Sequence, residues 1–167
     1  VGGELSYDLA VLKVKTNELL KYNEHAKPVT IAEDYQIGET VMAIGNPECE
    51  GTSVTSGIIS VVSENLEMTG VDEVTKCMFR VMRIDAAVNG GNSGGGLFNA
   101  AGALIGVVNA KYSSSGIEGL GFAIPSNGAI EILNAIIKNG NADNINSSIS
   151  SGRPMLGITG VYVMGGA

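Results

Sequence analysis

One histidine and two cysteines are all the imidazole and thiol that this 167-residue chain contains. His25, Cys49 and Cys77 are scattered along it, without the paired spacing from which zinc or iron–sulfur sites are built, so no metal centre is expected. The even cysteine count permits a disulfide. The strand pattern described below, however, puts the two cysteines near opposite ends of one hairpin. At about 3.3 Å per residue over roughly ten residues, they lie well beyond the ~7 Å Cα separation that a disulfide spans. Basic residues are also scarce, with 10 Lys and Arg against 17 Asp and Glu and a net charge of −7. That balance excludes nucleic acid or an anionic membrane surface as the main partner. No apolar run approaches the roughly 18 residues of a membrane span. The opening Val1-Gly2-Gly3-Glu4 has neither the basic start nor the apolar core of a signal peptide. It reads as an internal start, with any targeting segment expected upstream.

Glycine is abundant instead, at 24 residues against 4 prolines. Spread among short Val/Ile-rich runs, it points to an all-β protein with tight turns, because glycine supplies the positive φ such turns need. Strand signals cover Leu9–Val14, Thr40–Ile44, Ser53–Val62, Met78–Ile84, Leu104–Asn109 and Gly121–Ile124, at a spacing that favours a barrel or sandwich. Residues 16–38 are polar and mixed and read as a connector. One helix is predicted after Pro125. Ser126 or Asn127 caps it, Ala129, Ile130, Leu133, Ile136 and Ile137 form its apolar face, and Lys138 and Gly140 end it. A stretch rich in Asn, Ser and Gly then reads as a flexible linker.

The chemistry is concentrated in Asp85-Ala86-Ala87-Val88-Asn89-Gly90-Gly91-Asn92-Ser93-Gly94-Gly95-Gly96-Leu97. A serine hydroxyl becomes a useful nucleophile only when a base takes its proton and when N–H groups converge on the developing oxyanion. Glycines on both sides of Ser93 let the backbone curl so that the N–H groups of Gly91 and Ser93 can do this. Two competing motifs fail. Gly91-Asn92-Ser93-Gly94-Gly95 fits the G-x-S-x-G elbow, but that motif needs a following helix and a later histidine, and no histidine follows His25. A phosphate-binding loop would need Gly-Lys-Ser/Thr, which neither this stretch nor Gly38–Gly45 supplies.

Several segments together resemble the HtrA (Deg) family of chymotrypsin-like serine peptidases. They are Asp8-Leu9-Ala10-Val11-Leu12-Lys13-Val14, Val41-Met42-Ala43-Ile44-Gly45-Asn46-Pro47, Thr55-Ser56-Gly57-Ile58-Ile59-Ser60, the Ser93 stretch, and Gly119-Leu120-Gly121-Phe122-Ala123-Ile124-Pro125-Ser126. They occur in family order and span residues 8–126 almost continuously. The resemblance implies a chymotrypsin-like double β-barrel. Here that is mainly the second six-stranded barrel, with the last strand of the first barrel and a C-terminal helix. Residues 1–38 would end the first barrel and connect to the second, 39–140 would form the second barrel and helix, and 141–152 a linker. Arg153-Pro154-Met155-Leu156-Gly157-Ile158 resembles the start of a PDZ domain, so 153–167 would open one.

By the same resemblance Asp8 is the triad aspartate, Ser93 the nucleophile, and Gly91 with Ser93 the oxyanion hole. Val88, Gly121, Phe122 and Ala123 would line the substrate pocket beside the nucleophile, whose floor runs through Ala87 and Val88. Asp85 would brace the loop. The family histidine would precede Asp8 by some 30 residues, so it falls outside this chain, while His25 sits in an exposed connector. The expected activity is that of a serine endopeptidase acting on unfolded or damaged polypeptides without a cofactor, with this chain inactive by itself. The rival class is a peptide-holding, chaperone-like module that does not cut. The resemblance also implies work outside the cytoplasm or at the cell envelope, and assembly as a homo-oligomer, often a trimer. Glycine at 90 and 96, where the family often or usually has proline, frees φ on either side of the nucleophile.

Overall fold

The computed structural model describes residues 1–4, 7–46, 51–69, 76–109, 120–142 and 150–151. β1 (Gly2–Glu4) and β2 (Leu9–Val11) form an antiparallel hairpin with Gly3 opposite Ala10. Helix α1 (Thr16–Tyr22) follows. Next come β3 (Thr40–Gly45), β4 (Ser53–Thr69), β5 (Lys76–Ile84), β6 (Gly96–Asn99), β7 (Leu104–Val108) and β8 (Gly121–Pro125). Helix α2 (Ser126–Asn139) and a short β9 (Ser150–Ser151) complete the described elements.

Strands β3 to β8 are antiparallel neighbours in the order β4-β3-β6-β7-β8-β5, and β4 pairs with β5 to close the ring. The result is the expected six-stranded barrel, in which closure removes the free strand edges. β4 makes closure possible. Its first part, Ser53–Ile58, pairs with β3, and from Ile59 onward it pairs with β5. Register shifts between Ile59 and Val61 and between Val61 and Glu64 bend it around the corner, as bulges do.

Side-chain alternation sorts the core into layers. Val41, Ala43, Ile59, Met82, Ile84, Leu97, Ile105, Val108 and Ala123 fill the barrel. Ile124, the next residue on β8, points out instead and packs under α2. α2 buries Ala129, Ile132, Leu133 and Ile136 against Tyr7, Leu9, Val11 and Val107. Each large aliphatic side chain so buried contributes roughly 1.5–3 kcal/mol. This layer positions the site, because Tyr7 and Leu9 flank Asp8 and are both sealed into it.

The strand signals do not cover β1 and β6. Helix α2 is capped at Pro125 without a side-chain hydrogen bond, not by Ser126 or Asn127. The structure departs from the sequence reading in four further places. The second strand stops at Val11, and Leu12 and Val14 are exposed rather than paired. The stretch 16–38 contains α1, whose Lys21 ammonium pairs with Glu18 at 2.8 Å and which buries no residue. With no buried stripe, it left no apolar period to read. On α2 the buried face is turned: Ile132 is enclosed, and Ile137 is half exposed. Finally, Ser150 and Ser151 pair with Phe79 and Met78, where composition read as linker. Cys49 and the 153–167 segment lie outside the described residues.

Candidate active site

Ser93 sits between two consecutive glycine turns. Asn92 donates its N–H to the Asn89 carbonyl at 3.0 Å, closing a β-turn whose third residue, Gly91, has φ of 94°. Gly95 then donates to the Asn92 carbonyl at 2.9 Å, closing a second turn with Gly94 at φ of 85°. Positive φ at the third position is what selects glycine in such turns. A pair of bonds ties the second turn to the barrel: Gly94 donates to the Val108 carbonyl and Val108 to the Gly95 carbonyl, both at 2.9 Å. The N–H groups of Gly91 and Ser93 are not among those that close the turns.

Asp8 reaches the same strand end from the other side. Its backbone is left-handed, with φ of 53°, the only such non-glycine residue among those described. Such a backbone is uncommon outside glycine, though aspartate tolerates it better than most residues. Tyr7, Asp8 and Leu9 are all buried. The carboxylate Oδ2 accepts a hydrogen bond from the Asn109 carboxamide Nδ2 at 3.0 Å, within the protein interior. Asn109 directly follows Val108, and its own N–H donates to the Phe122 carbonyl at 2.8 Å. Residues 108 and 109 are thus a junction: one holds the serine loop, the next holds Asp8 and β8. The sequence reading missed Asn109, which looked like an ordinary strand end. Only its proximity in the fold reveals the role.

Of the residues expected to line a substrate pocket, Val88, Gly121 and Ala123 come together and Phe122 does not. Val88 is buried, and a methyl added at Gly121 would lie 2.8 Å from Val88 Cγ2. Gly121 is therefore required for that close approach. Ala123 shares the barrel interior with Val88. Phe122 faces another way and packs with Val81, Leu66 and Leu120. His25 is 87% exposed, with Nε2 3.6 Å from Glu24. Among the described residues no group of His, Cys, Asp and Glu side chains is arranged to hold a metal ion, and no helix is long and apolar enough to cross a membrane.

A β-barrel with a glycine-bracketed serine at a strand junction defines a class, and comparison with known proteins agrees with it. Residues 1–107 match the trypsin-like peptidase domain. The serine protease Do-like HtrB of Bacillus subtilis is 38% identical over 161 residues, 95% of this chain and 32% of that protein. The serine endoprotease DegS of Haemophilus influenzae is 39% identical over 143 residues, 84% of this chain and 39% of that protein. Among solved structures, the HtrA-type protease AlgW S227A with tripeptide superposes with a TM-score of 0.64 at 36% identity, covering 84% of this chain and 43% of that one. The chain belongs to the trypsin-like serine peptidases of HtrA type. It spans about a third of the length of such relatives, 32% for each of the HtrB and HtrA proteins of Bacillus subtilis.

Proposed function

We propose that this chain carries the nucleophile and oxyanion hole of a serine endopeptidase that degrades unfolded polypeptides. Ser93 would attack the scissile carbonyl. A histidine supplied from outside these 167 residues would take its proton and return it to the leaving amine. Asp8 would hold that imidazole in the productive tautomer. The N–H groups of Gly91 and Ser93 would bind the oxyanion, and a donor of this kind contributes about 2.7–4 kcal/mol to the transition state. The observation that carries the reading is the junction at Val108–Asn109, which holds the serine loop on one side and a buried, left-handed aspartate on the other.

The pocket beside Ser93 would take small aliphatic side chains. Val88 packs on Gly121 and leaves little depth, and none of Val88, Gly121 and Ala123 carries charge. A substrate Lys or Arg would lose its water without gaining a partner. Relatives named as periplasmic endoproteases support work outside the cytoplasm. The solved relatives named with a bound tripeptide or decapeptide support peptide substrates.

Alone, this chain is expected to be inactive, since its one histidine is on the surface and histidine is the side chain that usually serves as general base. A fluorophosphonate probe tests two statements, that the chain alone is inactive and that Ser93 is the nucleophile of the longer protein. The chain alone should stay unlabelled, and the longer protein bearing the upstream histidine should label at Ser93. Stoichiometric labelling of the isolated chain would overturn the first statement. A longer, folded protein that does not label would overturn the second.

A further inference from the structure

Loop 85–88 leads from β5 to the serine turns, where it would wall the proposed pocket, and the structure clamps it to β4 at three points. Asp85 Oδ1 accepts the Ile58 N–H at 2.6 Å. The Asp85 N–H donates back to the Ile58 carbonyl at 3.3 Å. Thr55 Oγ1 donates to the Ala87 carbonyl at 2.8 Å. Gly57, between Thr55 and Ile58, has no side chain because the loop lies where one would be. A methyl there would collide with Asp85 Oδ1 and the Ala86 N–H and come 2.8 Å from Ala86 Cα. Beyond the clamp, Val88 closes on Gly121.

We propose that Asp85 is a positioning residue that sets the depth of the substrate pocket, through the juxtaposition of its carboxylate with Gly57–Ile58 on β4. Two consequences follow. First, the carboxylate is spent on β4. With Oδ1 held by the Ile58 N–H, the negative charge would be directed at β4 rather than offered as a counter-ion to a basic substrate side chain. Second, the clamp fixes Ala87 and therefore how far Val88 intrudes. Releasing it would let Val88 withdraw and admit larger side chains. This inference rests on the serine-peptidase reading for its substrate consequence but not for the clamp itself.

Three variants separate the possibilities. Asp85→Ala removes the acceptor, Asp85→Asn keeps an Oδ1, and Gly57→Ala pushes the loop off from the β4 side. In the longer, histidine-bearing protein, Asp85→Ala should lower kcat/KM by about tenfold or more, the scale of a lost hydrogen bond to a charged acceptor. The loss should fall mainly on KM, with cleavage spreading from small aliphatic to larger residues. Gly57→Ala should behave alike, and Asp85→Asn should restore most of both. In the 167-residue chain, NMR reads the clamp without cleavage. Asp85→Ala should lower the exchange protection of the Ile58 amide and shift the Val88 methyl signals, and Asp85→Asn should do neither. Should Asp85→Ala fail to fold, Thr55→Val removes the Ala87 contact alone and should shift Val88 in the same sense. Val88 signals unmoved by release of the clamp would overturn the proposal, as would an unchanged cleavage profile. A wild-type protein that cuts nothing while Val88 still responds would overturn the peptidase reading and leave the clamp standing.

Discussion

Removing the carboxamide of Asn109 tests the junction on which the site depends. Its Nδ2 donates to Asp8 Oδ2 at 3.0 Å, and the two residues are 2% and 7% exposed, so water cannot readily replace the lost donor. A hydrogen bond to a charged group contributes about 1.5–3 kcal/mol. For a chain of this size each 1 kcal/mol moves Tm by roughly 2–4 °C. Asn109→Ala is therefore expected to lower Tm by about 3–12 °C. Both residues have further interactions, so a single variant would overstate the pair. The cleaner measurement is a double-mutant cycle with Asp8→Ala, followed by urea and thermal unfolding near neutral pH. Asp8→Ala adds its own cost, because alanine tolerates the left-handed φ poorly, but that cost appears in both arms and cancels. A coupling energy of about 1 kcal/mol or more is expected. Additivity within roughly 0.5 kcal/mol would show that Asn109 does not hold Asp8, and the argument for a junction would fall.

Two further outcomes are expected. Ile132→Ala, at a fully enclosed position between α2 and the barrel, should cost about 2–5 kcal/mol in urea unfolding, whereas Ile137→Ala, half exposed, should cost far less. Burial pushes the Tyr35 phenol above its ordinary value, opposed in part by its hydrogen bond to Asn127 and by Arg80. The folded state thus favours the neutral phenol, so its contribution is whole below about pH 10 and is lost as pH rises through the higher folded value. Tm should fall more steeply in the alkaline range for wild type than for Tyr35→Phe.

Much of this fold is legible from local pattern. Strands such as Val41–Ile44 and Leu104–Val108 announce themselves because β-branched runs between turn residues have few other stable uses. Ser93 is legible because its loop is built from glycines in sequence, so the chemistry and its support share one stretch of chain. What stayed hidden depends on contacts across the chain. Asn109 meets Asp8 over 101 positions, and nothing in either local sequence marks the pairing. α1 buries nothing and so carries no periodic signal. The turned face of α2 was hidden for a related reason. Ile130, Leu133 and Ile137 and Ala129, Leu133 and Ile136 both satisfy a helical period, and only the surface offered by Tyr7, Leu9 and Val11 decides that Ile132 goes in and Ile137 stays out.

The serine loop is braced unequally on its two sides, and the inequality bears on its chemistry. After Ser93, two bonds with Val108 fix the chain to a fully buried strand. Before it, the Asn89–Asn92 turn is closed by a single bond, and Gly90 has no other group within 4 Å of where a side chain would start. The hydroxyl-bearing residue is thus anchored by two backbone bonds to the barrel, whereas the turn that holds the Gly91 N–H has its one closing bond and the packing of buried Asn92 on Gly45. Further back, Asp85 and Thr55 fix the chain again, this time to β4. Only the few residues between Ala87 and Asn92 lie between these two anchors. Any partner or bound peptide that alters the proposed oxyanion hole acts most directly on that span, because on either side of it hydrogen bonds commit the backbone to the sheet.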